Sequence, residues 1–315
     1  MRDGLSRRVF FGSLAAGGGA LLLGCGGRDA GSQSSAGDVT SAPVPGSSGT
    51  SMVTTPRGRV TVPLQPERVI AIDSRQDLEI AIALELPVVG YTSHVIRPWV
   101  PLPATAEPLR SPVDLVELVR AEPDLVICTD IESPYWFPSG LDSVAPVLPV
   151  DPRAEWDSNL RTLAGWLGRE AAADTVLGRY RERVERVRRR HADALTDPIA
   201  VVGLNTDDTL TDLGHSPSVV AQAARDTGAH MLHFGVDLQS PLDVSTAAPA
   251  LGATQRLIVA SDDPDVDADY LREHPALGTI PAIAENRFAV TADLSYGSVY
   301  TALESLSLLD EVLRR

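Results

Sequence analysis

Short runs of branched apolar residues alternate along most of the chain with stretches in which apolar side chains return every three or four positions. Val69-Ile70-Ala71-Ile72 leads into residues 77–86 and then Val88-Val89-Gly90-Tyr91. Residues 114–121 precede Leu125-Val126-Ile127, and residues 141–145 precede Val147-Leu148-Pro149-Val150. Apolar runs of this length bounded by Pro, Gly or Asp suit strands buried on both faces, and strand–helix–strand order implies a parallel α/β sheet. The alternation stops near Asp151; residues 159–194 are nearly all helix formers, broken around 165–168. Within 170–195, Ala173, Val176, Leu177, Tyr180, Val184 and Val187 recur at helical spacing between charged positions that read as a solvated face. This predicts one amphipathic helix of about 26 residues, roughly 39 Å long. After Asp197-Pro198 the alternation resumes, with strands at 199–204, 257–260 and 288–290 and helices at 218–229 and 301–313. The expected fold class is α/β: two Rossmann-like lobes joined by one long backbone helix. The N-terminal lobe covers 57–156, the linking helices 157–196 and the C-terminal lobe 197–315. Such a layout leaves a cleft between lobes at the carboxyl ends of the strands.

The first 56 residues break this pattern. The apolar run 10–23 is too short and too rich in Gly and Ala to span a bilayer, and reads as the hydrophobic part of a signal peptide. Ser6-Arg7-Arg8-Val9-Phe10-Phe11 resembles a twin-arginine export signal, and Leu22-Leu23-Gly24-Cys25 resembles a bacterial lipobox. The likeness implies a signal peptide over 1–24, lipidation of Cys25, and a protein held by lipid on the extracytoplasmic face of the cell membrane. An ordinary leader with a stray cysteine is the plainer alternative. Residues 25–56, built of Gly, Ser, Thr, Ala and Pro, read as a flexible tether.

Charge narrows the partners. The formal net charge is −15, and removing residues 1–24, with three arginines and one aspartate, takes it to −17. So acidic a body is unsuited to nucleic acid. The chain has no lysine, so every side-chain cation apart from histidine is an arginine. With Cys25 assigned to lipid, Cys128 stands alone in an apolar run and reads as an inert buried thiol. Nothing in the motifs suggests an enzyme. No Gly-rich phosphate loop lies beyond the leader, no Gly-x-Ser-x-Gly elbow occurs, and Cys128 has no base nearby in sequence.

Several stretches carry a resemblance: Pro66-Glu67-Arg68-Val69-Ile70-Ala71, Leu84-Glu85-Leu86-Pro87-Val88-Val89-Gly90, Glu122-Pro123-Asp124-Leu125-Val126-Ile127, and His274-Pro275-Ala276-Leu277 through Asn286-Arg287-Phe288-Ala289-Val290. In order and spacing, residues 59–315 resemble the class III substrate-binding proteins of ABC importers, which carry ferric siderophores, haem or cobalamin. The resemblance implies a two-lobed, monomeric binding protein that moves little on binding and has an ABC permease as partner. Family members dock through an exposed glutamate on a helix in each lobe. Here Val116 stands where the first is expected, Glu117 is one position on, three after Asp114 as in a capping box, and the second lobe's Ser245-Thr246-Ala247-Ala248-Pro249 has no acid.

Loops that follow the strands supply the candidate ligand-binding residues: Arg75, His94, Arg97, Trp99, Tyr135, Trp136, Trp156, Asn205 and Tyr296. Planar rings suit a catecholate, a porphyrin or a ring-bearing siderophore; the alternative is that they plug the lobe interface. Arg75 and Arg97 are placed to pair with anionic oxygens of a chelate, or else to form surface salt bridges. His94 with His215 or His233 and Glu132 offers a bare-metal alternative, and His94 or Tyr135 an axial haem ligand. The expected function is a lipid-anchored solute-binding protein for an iron-siderophore-type chelate, with no intrinsic cofactor or resident metal. Two alternatives stand beside it: a haem-binding or scavenging lipoprotein of the same fold, and an envelope interaction or sensor lipoprotein without a transport ligand.

Overall fold

The computed structural model describes residues 44–45, 49–73, 75–92, 97–234, 241–292 and 294–315. The chain first forms a small antiparallel sheet of β1 (Val44–Pro45), β2 (Thr50–Thr55) and β3 (Gly58–Pro63). The N-terminal lobe follows as β4 (Val69–Asp73), α1 (Gln76–Ala83), β5 (Val88–Thr92), β6 (Glu107–Leu109), α2 (Leu115–Arg120), β7 (Leu125–Thr129) and β8 (Val147–Val150). Its five strands are all parallel, in the order β6-β5-β4-β7-β8. The linking helices are α3 (Trp156–Leu167) and α4 (Glu170–Arg190). The C-terminal lobe contains β9 (Ile199–Leu204), β10 (Thr209–Asp212), α5 (Val219–Asp226), β11 (Leu242–Asp243), α6 (Val244–Ala247), β12 (Arg256–Ala260), α7 (Ala268–Glu273), α8 (Pro281–Ala284), β13 (Phe288–Thr291) and α9 (Val299–Arg314). Its sheet has the order β11-β10-β9-β12-β13; β9, β12 and β13 are parallel, and β10 and β11 add an antiparallel edge.

Both sheets bury both faces, as their apolar runs require. Val69 and Ala71 face a core shared with α1, α3 and α4, while Ile70 and Ile72 face the side covered by α2. In the second lobe Ala200 and Val202 face the layer of α6, α7 and α8, and Ile199 and Val201 face α5 and α9.

The long helix is shorter than its periodicity predicts. It has 21 residues, about 32 Å, and ends at Arg190. Asp310 of α9 explains the stop: it takes Arg190 at 3.1 Å and the ring of the capping residue, His191, at 2.8 Å. Before it, Gly168 turns the chain from α3 into α4 in the left-handed region (φ 64°), where glycine carries no Cβ penalty.

One helix belongs to both lobes. Val299, Ala302 and Leu306 of α9 lie in the core of the first lobe, and Leu309, Val312 and Leu313 in that of the second. The connection predicted from sequence, a single backbone helix, is thus doubled by a second helix whose two halves sit in different cores. Thr50–Thr55, assigned to the tether by composition, pairs along its whole length with β3 and buries Val53.

Candidate functional site

The carboxyl ends of β4 and β7 are tied together by a buried aspartate. Asp77 on α1 accepts the Asp73 N–H (2.9 Å), the Thr129 N–H (2.9 Å) and the Thr129 hydroxyl (2.8 Å). Burial, with the neighbouring Asp73 carboxylate, pushes its pKa from 3.8 up to about 7. A raised carboxyl pKa means that folding takes up a proton, so this group favours the fold most below its unfolded pKa and loses that contribution as pH rises through the folded one. Stability should therefore rise by about 2 kcal/mol between about pH 7 and pH 5.5 from this group. Urea unfolding at several pH values checks it, with Asp77→Asn expected to flatten the slope.

Above this floor the two lobes meet. Arg75, at the start of α1, pairs with Asp73 (Nε–Oδ1 3.1 Å), and its guanidinium lies 5.1 Å from the centre of the Tyr296 ring, contributed by the loop before α9. Asp73 raises the Arg75 pKa. Tyr296 remains 48% exposed, so this contact is an open rim rather than core. Beside it runs a buried polar weld. Glu79 of α1 accepts the N–H groups of Ser298 and Thr301 (both 2.9 Å) at the N-terminus of α9 and also takes the Thr301 hydroxyl. Arg97 reaches Glu79 (3.4 Å), the Tyr296 carbonyl (2.6 Å) and Thr301 (3.0 Å). Trp99 donates its indole N–H to the same hydroxyl (3.1 Å). Gly297 lacks a Cβ because one there would press on Thr301 and on Arg97, 3.0 Å away, and its φ of 153° suits glycine.

The predicted site residues therefore separate. Arg75 and Tyr296 are brought together across the lobes. Tyr135, half exposed, and Trp136, partly buried, share the loop after β7, where the Cys128 thiol donates to the Trp136 carbonyl. Cys128 is buried, which pushes its thiol pKa far up. Asn205 lies exposed at the end of β9, its amide donating to Thr209 (2.9 Å) and Thr211 (3.2 Å) within the β9–β10 turn. Arg97 and Trp99 hold the lobes together instead of lining open space. Trp156 is core: it is 1% exposed at the start of α3 and meets Tyr180 edge-on at 4.8 Å. His94 and Cys25 lie outside the described residues.

Glu117 forms no capping box with Asp114. Asp114 caps α2 through the Val116 N–H (2.9 Å), and Glu117 turns back to the Arg110 N–H (3.0 Å). In the second lobe an acid does stand before the helix: Asp243 caps α6 through the Ser245 N–H. His215 and His233 stack ring on ring at 3.6 Å, so their nitrogens do not converge on one point. Among the described residues, no three His, Cys, Asp or Glu side chains form a metal site. Nor is any helix of the described residues long and apolar enough to cross a membrane.

Arg57 was not expected at the site. It sits at the tip of the β2–β3 hairpin, bonds Asp130, approaches Glu132 at 3.5 Å, and lies over the Phe137 ring at 3.8 Å. The signal was present in the Pro56-Arg57-Gly58 turn between two alternating runs.

Comparison with known proteins gives a consistent result. The model of the periplasmic binding protein family matches residues 110–293. Similar solved structures include a periplasmic solute binding protein of Mycobacterium smegmatis, at 16% identity and a TM-score of 0.69, covering 85% of this chain and 98% of that one. SirA of Staphylococcus aureus, complexed with staphyloferrin B, follows at 18% identity and 0.64, covering 84% and 98%. PiaA of Streptococcus pneumoniae, in complex with ferrichrome, matches at 17% and 0.60 with coverage of 84% and 98%. No curated protein matches by sequence.

Proposed function

We propose that this chain, which belongs to the periplasmic binding protein family, captures a ferric siderophore-type chelate between its lobes and passes it to an ABC permease, with no chemistry of its own. The observation that carries this reading is the rim where Arg75, just after β4 of one lobe, lies over Tyr296, just after β13 of the other. Two of the structures with this fold are complexes with staphyloferrin B and with ferrichrome, which supports a chelate of that class here. Lipid on Cys25 would hold the protein, as a monomer, beside its permease on the extracytoplasmic face. The weld of Glu79, Arg97 and α9 favours capture with little change in the angle between lobes.

Binding is expected to quench tryptophan fluorescence. Trp156 and Trp166 are buried and Trp99 is tied to Thr301, so the change should come from Trp136, partly exposed in the loop after β7. Titration with a ferric trihydroxamate should give a saturable quench that falls sharply in Trp136→Phe. Arg75→Ala should weaken binding about tenfold, a loss of about 1.4 kcal/mol. A chain that responds to no ferric chelate would remove the reading.

A further inference from the structure

We propose that the cleft selects a neutral or cationic ferric chelate and disfavours a multiply anionic one; this rests on the chelate-binding reading above. The proposal reverses the expectation, drawn from Arg75 and Arg97, of an anionic ligand, and its ground is how the cations of the cleft are already engaged.

Three arginines near the first lobe's strand ends, Arg75, Arg57 and Arg97, are matched by acids. Arg75 pairs with Asp73, which is 5% exposed and so cannot turn away to water. Arg57 is held by Asp130 and Glu132 and by the face of Phe137. Arg97 is 3% exposed and occupied by Glu79, Thr301 and the Tyr296 carbonyl. Arg153, after β8, is exposed; Asp151 accepts its backbone N–H at 2.8 Å, and its guanidinium has no acid within ion-pair distance among the described residues. The chain has no lysine to add a further cation.

The second lobe tips the balance. Asp207, Asp262 and Asp263 follow the carboxyl ends of β9 and β12, and none has an arginine or histidine within ion-pair distance among the described residues. Asp208 faces His274 at 3.3 Å. Asp262 is exposed just past the carboxyl end of β12, the parallel neighbour of β13, which leads to Tyr296, and it acts electrostatically on both Arg75 and Tyr296. A polyanionic ligand entering here meets the Asp262 carboxylate, while the guanidinium groups of Arg75, Arg57 and Arg97 are already engaged by acids. A cationic arm on the ligand, by contrast, finds the Asp262 carboxylate beside the half-exposed ring of Tyr296.

The test is a fluorescence titration of the full chain with three ferric chelates: a neutral trihydroxamate, a trihydroxamate bearing one ammonium group, and a trianionic tricatecholate. At about 20 mM salt the first two should bind at least about tenfold more tightly than the third, and the gap should narrow at about 0.5 M salt, because rim charges are screened. The double variant Asp207→Asn, Asp262→Asn should improve tricatecholate binding selectively while leaving the neutral chelate within about twofold. Equal or tighter binding of the tricatecholate by the unaltered chain overturns the inference alone. Binding of none of the three overturns the chelate reading and this inference with it.

Discussion

Replacing Glu79 with alanine is expected to lower the unfolding free energy by about 3–5 kcal/mol, because it breaks a buried charge network by removing one partner. The Ser298 and Thr301 N–H groups open α9 and have no earlier turn of helix to bond to; the Glu79 carboxylate serves both. Without it, two buried donors go unmet and the Arg97 guanidinium loses its contact with the Glu79 carboxylate. Burial raises the Glu79 pKa, so the site carries a cost that only complete hydrogen bonding offsets. Glu79→Gln keeps an acceptor at the helix end and should cost clearly less than the alanine variant. Urea unfolding of both variants measures the difference, and a loss below about 1 kcal/mol for Glu79→Ala would show that the weld contributes little.

Trp156→Ala should be comparably damaging, at about 3–5 kcal/mol, while leaving the chelate affinity of the folded protein unchanged. The indole fills the junction between α3 and α4, edge-on to Tyr180, whose hydroxyl donates to Asp226 of α5 (2.7 Å). Removing it opens a cavity at the point where the linking helices reach the second lobe. Trp156→Phe should be much milder. It keeps a ring in the site and deletes an indole N–H that has no partner among the described residues. A chelate titration of Trp156→Phe separates the two roles: altered affinity at normal stability would return this residue to the ligand site.

These two residues show why parts of the site were hard to read from sequence. Trp156 and Trp136 occur in similar settings, just after apolar strand runs, yet one is sealed under α4 and the other stays partly exposed in the loop after β7. Arg97 and Arg75 present the same ambiguity. Both follow strands, but only Arg97 is buried beneath the start of α9, a segment almost two hundred residues further along the chain. Glu79 gave no sign at all, because an acid in the first turn of a helix is ordinary where the helix dipole favours it. The β2–β3 hairpin was missed for another reason: its small polar residues look like linker when judged by composition, although they alternate in the manner of a strand.

The alternation of apolar runs and helical periods determined the two α/β lobes, their strands and the helices that link them. Burial on two faces demands a local pattern of side chains, and that pattern is written in consecutive residues. Tertiary structure alone decided which polar groups stay exposed at the rim and which hold the lobes together. That outcome depends on which distant segment arrives to desolvate each side chain: α9 covers Glu79 and Arg97, whereas Tyr296 leaves Arg75 at an open rim. The pairing of Arg75 with Asp73 and of Arg57 with Asp130 was decided the same way, since an acid engages an arginine only where the fold brings the two together.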